Sequence, residues 1–344
     1  MTAKAKGKAK RSVKTQPKRR ELTVEEYAAG VREGDRSILG RAITLVESNA
    51  LKHRDKAEQL LQALLPYTGH SIRVGITGAP GVGKSSFIDA LGEVLTGQGA
   101  KVAVLAIDPS SSLTRGSILG DKTRLERLAR HPRAFIRPSP AGDTLGGVAR
   151  KTRESALVCE AASYDIVLIE TVGVGQNETA VRSMVDFFVL LIIAGAGDEL
   201  QGIKRGIIEL ADAIVINKAD GDNAPRAAMA RAEYERALHY LLPATAGWQT
   251  KAYTCSSLTG QGVKEIWSIV EDFVQQTQAS GVFFERRRSQ ARNWFNALLA
   301  EHLKARFFSN PKIARALPAI EESVAKGELA PTAAVERLAK LFDK

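Results

Sequence analysis

Cysteine is scarce in this sequence. It occurs twice, at Cys159 and Cys255, far apart and outside any Cys-x-x-Cys spacing. That excludes a disulfide framework and a cysteine zinc site, and it favours a reducing compartment. Both thiols read as core residues. Histidine is also sparse, and His53, His70, His131, His239 and His302 are scattered along the chain. A long apolar run is missing. None approaches the roughly 20 residues that span a bilayer, and the N-terminus carries no apolar segment of the signal-peptide kind. No membrane partner is expected, and the cytoplasm is the expected location.

Acid is missing from the first twenty residues. They hold Lys4, Lys6, Lys8, Lys10, Arg11, Lys14, Lys18, Arg19 and Arg20, and neither Asp nor Glu. Most of the formal charge of +11 therefore sits in this tail, and the remainder is close to balanced. With few apolar residues the tail is predicted to be disordered. Aromatic residues that would stack on bases are absent from it, so nucleic acid is not an expected partner. Its Lys/Ala composition is a poor match to an amphipathic, Arg- and Ser-rich transit peptide.

What is present is a strand, a glycine loop and a helix in succession. Residues 72–77 form an apolar, β-branched run that reads as a buried parallel strand. Gly78, Ala79, Pro80, Gly81, Val82, Gly83, Lys84 and Ser85 then fit G-x-x-x-x-G-K-[ST], and Ser86 follows. Phe87, Ile88, Leu91 and Leu95 repeat at helical spacing. Glycines without Cβ let the loop curl its N–H groups around phosphate oxygens, and the helix presents its positive end to them. Lys84 is expected near the β- and γ-phosphates, and the Ser85 hydroxyl on Mg²⁺.

Strands are predicted at 102–107, 134–136, 166–169, 187–193, 213–216 and 251–254. Helices are predicted at 122–130, 148–162, 203–210, 224–242 and 263–275. Strands that do not alternate, joined by helices, mean an α/β fold with a mostly parallel sheet flanked by helices. Residues 21–70 form a helical N-terminal extension, with Thr23 and Glu26 as a capping box. Residues 71–280 form the nucleotide domain. Residues 281–344 form a helical appendage. There Trp294, Phe295, Leu298, Leu299, Leu303 and Phe307 share one stripe, read as a homodimer interface, with packing onto the sheet domain as the alternative.

Asn217, Lys218 and Asp220 fit N-K-x-D after a strand. The Asp220 carboxylate can accept from guanine N1–H and the 2-amino group, donors that adenine lacks in that geometry. Asn217 can bond the base edge, and the Lys218 stem can cover the ring. Ser256, Ser257 and Leu258, after the next strand, are expected to offer an amide to guanine O6. The ligand is therefore GTP or GDP. Glu170 and Gly173 stand where many GTPases carry D-x-x-G. Glu170 is expected to hold Mg²⁺ and Gly173 to donate to the γ-phosphate. Asp108 and Asp121 lie on loops that could join the metal sphere, with turn and helix-cap duty as the alternative. Gln176 is a candidate for orienting the attacking water.

Several further stretches resemble one family. They are DPSS from Asp108, GSILGDKTR from Gly116, RPSP from Arg137, TLGGV from Thr144, ETVGVGQ from Glu170 and GAGDELQGIK from Gly195 to Lys204. The chain is similar to the MeaB family, the methylmalonyl-CoA mutase-associated GTPases, a metallochaperone group of P-loop GTPases. The resemblance implies a GTPase chaperone that gates cofactor loading and protects or reactivates an adenosylcobalamin-dependent acyl-CoA mutase. It implies a homodimer through C-terminal helices. It also implies a phosphate and Mg²⁺ site of Lys84, Ser85, Asp108, Asp121 and Glu170, and a switch at 195–204. Lys204, a cation in that glycine-rich stretch, is expected to swing toward the phosphates when the partner binds. Ala141-Gly142-Asp143 departs from the small polar residues usual there, and the basic tail has no expected counterpart. The competing readings are a nickel-type metal-insertion GTPase, a transport-linked ATPase or kinase, and a binding module whose hydrolysis is idle.

Overall fold

The computed structural model describes residues 20–108, 125–140, 145–171, 177–195 and 205–343. The apolar runs form a parallel sheet: β1 (Ile72–Gly78), β2 (Val102–Asp108), β3 (Ala134–Pro140), β4 (Ile166–Glu170), β5 (Phe187–Ile193), β6 (Ala213–Asn217) and β7 (Lys251–Thr254). Their order is β3-β2-β4-β1-β5-β6-β7, and every pairing is parallel. Continuous hydrophobicity follows from this, because both faces of a parallel sheet are covered. The expected α/β architecture is the one observed.

One face packs against α4 (Lys84–Gly97), α5 (Glu126–Arg130) and α10 (Val263–Ala279). Phe87, Ile88, Leu91 and Leu95 point into this core, as their spacing predicts. The other face packs against α6 (Leu145–Ala161) and α7 (Asn177–Arg182), and also against the N-terminal helices α1 (Val24–Arg32), α2 (Arg36–Val46) and α3 (Leu51–Leu64). The N-terminal helices thus share a core with β2, β4 and β5. The capping box forms as expected, with the Thr23 hydroxyl accepting from Glu26 N–H and Glu26 accepting from Thr23 N–H. Cys159 and Cys255 are both buried.

Several elements differ from their sequence outlines. Strand β3 runs to Pro140 rather than stopping at Ile136. As an edge strand it pairs on one side only, with β2, so Pro138 and Pro140 need no donor on the other. Helix α9 (Ala224–Leu238) ends four residues before Leu242, and α8 (Arg205–Ile208) is a single turn.

The C-terminal region is α11 (Val282–Ser309), α12 (Pro311–Ala325) and α13 (Pro331–Phe342). The second turn of α11 is fastened to the strand-start end of the sheet. Arg287 bonds both Asp186 oxygens and the Ser71 carbonyl, while Asp186 also accepts from Arg73 N–H at 2.8 Å. Arg286 reaches the Asp186 carbonyl and the Thr245 hydroxyl. Asp212 lies behind it and is fully buried. It accepts from Arg182 at 2.9 and 3.2 Å, from Phe188 N–H at 2.9 Å and from the Thr245 hydroxyl. Beyond these contacts α11 leaves Phe295, Leu299 and Leu303 exposed. A small separate core joins Ile313 and Ile320 of α12 to Ala334 and Leu338 of α13.

Removing the fully buried Asp212 carboxylate would take the anionic partner from the half-buried Arg182 and Arg286. Asp212→Ala is expected to cost about 3 kcal/mol or more in urea unfolding. Arg231→Ala breaks a half-exposed i,i+4 pair and is expected to cost under about 0.5 kcal/mol. Equal costs would contradict this account.

Candidate functional site

The loop between β1 and α4 is shaped by its glycines. Gly78 has φ +151, and a Cβ there would run into the Leu191 carbonyl of the neighbouring strand. Gly83 has φ +90, and its Cβ would sit 2.7 Å from Asn217 Nδ2. Only glycine meets both conditions, positive φ and a crowded Cβ position. The loop therefore turns tightly onto the N-terminus of α4, where peptide N–H groups and the helix dipole favour an anion.

Lys84, buried at the start of α4, curls back over the loop. Its Nζ donates to the carbonyls of Gly78 at 2.8 Å and Ala79 at 3.1 Å. A cation is thus held inside the loop. Ser85 Oγ donates to Glu170 Oε1 at 2.9 Å, joining α4 to the end of β4. A hydroxyl and a carboxylate this close are hard oxygen donors of the kind Mg²⁺ takes. Next to them the hydroxyls of Thr171 and Thr77 share a buried bond of 2.8 Å.

On the base side, Asn217 ends β6, where its side chain is buried. Its Nδ2 donates to Val82 O at 2.9 Å. Its Oδ1 accepts from Ser257 N–H at 3.1 Å, Ser257 Oγ at 2.8 Å and the Cys255 thiol at 3.5 Å. Sequence reasoning put Asn217 on the base edge; here its amide joins the phosphate loop to the Ser256–Leu258 loop. Lys218 takes φ +58, unusual for a residue with a Cβ. Its Nζ donates to Gly81 O at 2.9 Å, so its stem lies along the site. Asn223 supports this bend by donating to Lys218 O at 2.7 Å. Burial pushes the Cys255 thiol up to about 12, so it stays protonated as a donor to Asn217.

These loops enclose a cavity of about 360 Å³. Gly83 and Ser86 line it at the phosphate end, and Asp220, Ser257 and Leu258 at the other. Ser256 N–H bonds Gln261 O and Ser257 N–H bonds Asn217, so among the described residues the Leu258 amide is the one of the three without a partner. Three lining residues, Asp89, Ala90 and Arg127, are absent from the sequence expectations. Asp89 lies one turn beyond Ser85, a spacing that could have found it. Nothing local in the sequence marks Arg127.

The Asp108 side chain lies outside the described residues, as do Asp121, Asp143, Gly173, Gln176 and Lys204. The basic tail through Arg19 lies outside them as well. Among the described residues no group of three His, Cys, Asp or Glu side chains forms a metal cluster. None of their helices is long and apolar enough to cross a membrane.

Comparison with known proteins agrees with this geometry. Residues 39–312 match the model of a family described as methylmalonyl Co-A mutase-associated GTPase MeaB. A probable GTPase of Mycobacterium tuberculosis is 50% identical over 319 residues, covering 93% of this chain and 95% of the relative. A methylmalonic aciduria type A homolog of Mus musculus, described as mitochondrial, is 45% identical, covering 93% of this chain and 79% of the relative. A crystal structure described as an LAO/AO transport system kinase superposes with a TM-score of 0.76 at 41% identity, covering 94% of this chain and 99% of the other.

The crowding at Gly83 gives a direct test. Gly83→Ala is expected to weaken GDP binding at least about tenfold, because the added methyl strains a positive φ and displaces the Asn217 amide. Gly97→Ala is the control, as its Cβ would meet open space. Titration calorimetry on both variants measures this, and unchanged binding by Gly83→Ala would contradict the geometry.

Proposed function

Because this chain belongs to the methylmalonyl-CoA mutase-associated GTPase family, we propose that it hydrolyses GTP in the service of an adenosylcobalamin-dependent acyl-CoA mutase. In this reading it gates cofactor loading and protects or reactivates the mutase. The observation that supports the nucleotide assignment is one cavity lined by Gly83 of the β1–α4 loop and Ser86 at one end and by Asp220 at the other. A carboxylate can take two donors from guanine, and a site built for paired donors rejects a base that lacks them.

The residues divide the work by position. The loop amides of Gly78 to Gly83 cradle the β- and γ-phosphates, and Lys84 offsets their charge. Ser85 and Glu170 would hold Mg²⁺, with Asp108 and Asp121 completing its shell. The ion supplies neutralisation of charge on the phosphate oxygens. Ser86 borders the phosphates from α4. Gly173 donates to the γ-phosphate and Gln176 orients the water. Lys204 reaches the phosphates when the mutase binds, acting as an internal counterpart of an arginine finger. The Leu258 amide meets guanine O6, and the Lys218 stem covers the ring.

The chain works as a homodimer through the exposed apolar side of α11, where Phe295, Leu299 and Leu303 lie in one stripe. The competing readings have less support. A nickel-type inserter needs a ligand cluster, and the described residues contain none. A transport-linked ATPase would have no use for a carboxylate set against the purine amino edge.

The test is turnover of GTP and ATP with and without an adenosylcobalamin-dependent acyl-CoA mutase. GTP turnover is expected to be slow alone and faster with the mutase, and ATP turnover to stay at background. Lys204→Ala is expected to keep the slow rate and to lose about hundredfold of the stimulated one. Stimulated ATP turnover would overturn the nucleotide assignment. Full stimulation of Lys204→Ala would overturn the switch role.

A further inference from the structure

We infer that Arg127 is a second clamp on the nucleoside, its guanidinium plane lying against the purine and sugar from the side of α5. The inference rests on the guanine reading above and adds a residue to that site.

Arg127 lines the same cavity as Asp220 and Lys218. It reaches the cavity from a different element, since Lys218 follows β6 whereas Arg127 sits in α5. Two carboxylates one turn apart on α4 hold α5 in place. Asp89 Oδ1 accepts from Leu128 N–H at 3.0 Å, and Glu93 Oε2 pairs with Arg127 Nη1 at 3.0 Å. The helices also approach closely: a Cβ on Gly92 would meet Leu128 Cδ2 at 2.5 Å. The exposed Arg127 side chain is thus anchored at one nitrogen by Glu93, on a helix held against α4.

Its chemistry favours the nucleoside over the phosphates. Lys84 and the loop amides already serve the phosphate end. Glu93 raises the Arg127 pKa and offsets its charge, so Arg127 contributes little net field. What remains is a flat, weakly hydrated cation that stacks on π-faces. Lys218 covers a ring with a flexible stem; Arg127 would add a rigid plane.

The test is calorimetric titration of the full chain with GDP and ADP, for wild type and for Arg127→Ala, Arg127→Lys and Arg127→Trp. Arg127 is mostly exposed, and melting curves check that each variant folds. Arg127→Ala is expected to bind GDP about tenfold more weakly, the size of one stacking contact. Arg127→Lys keeps the charge and is expected to remain weak. Arg127→Trp keeps a plane and is expected to recover most of the affinity. Wild-type binding by Arg127→Ala would overturn the inference while leaving the guanine reading intact. Recovery by Arg127→Lys but not Arg127→Trp would overturn it in favour of a charge contact. Wild type that prefers ADP would instead overturn the guanine reading itself.

Discussion

The Asn217 amide bonds two loops at once. Its Nδ2 holds Val82 O of the phosphate loop, and its Oδ1 takes the amide and hydroxyl of Ser257. Because the amide is buried, either bond left unmade would strand a polar group, at a cost of roughly 1–3 kcal/mol. Phosphate end and base end are therefore set at a fixed separation before any nucleotide arrives. In the proposed reading, that preorganisation lets one cavity measure a whole nucleotide rather than a phosphate or a base alone. Ser85 with Glu170, and Lys84 with Gly78 and Ala79, arrange charge within the frame that Asn217 sets.

The sheet carries two kinds of chemistry at its two ends. Strands β1, β4 and β6 end at Gly78, Glu170 and Asn217, at the edge where ligands of open parallel sheets bind and where the proposed nucleotide site lies. The strand-start end is a knot of buried ion pairs around Asp186 and Asp212, and there the second turn of α11 is fastened. Arg73, Asp186 and Arg287 put α11 in direct register with β1, whose far end is the phosphate loop.

Much of this was legible in the sequence, for local reasons. The strand before Gly78 and the helix after Lys84 announced themselves by apolar run and helical spacing. Thr23 and Glu26 marked a helix start that the structure reproduces. The N-K-x-D stretch was placed after a strand, and the structure ends β6 at Asn217. What stayed hidden was long-range. Val82 lies 135 positions from Asn217, and Ser257 lies 40 away, so no window of sequence shows that the amide joins them. Packing of the N-terminal helices onto β2 and β4 was hidden for the same reason. The length of β3 was masked by its prolines, whose tolerance depends on an edge position that only the sheet order reveals.

The central claim is that the Asp220 carboxylate selects the base by accepting two donors. Replacing it with an amide changes one acceptor into a donor with little change of shape. Xanthine carries a carbonyl where guanine carries its amino group, so Asp220→Asn is expected to bind XDP more tightly than GDP. Wild type is expected to favour GDP over XDP by at least about a hundredfold. Competitive binding of the two diphosphates to both proteins measures this. A variant that still prefers GDP by the wild-type margin would contradict the account.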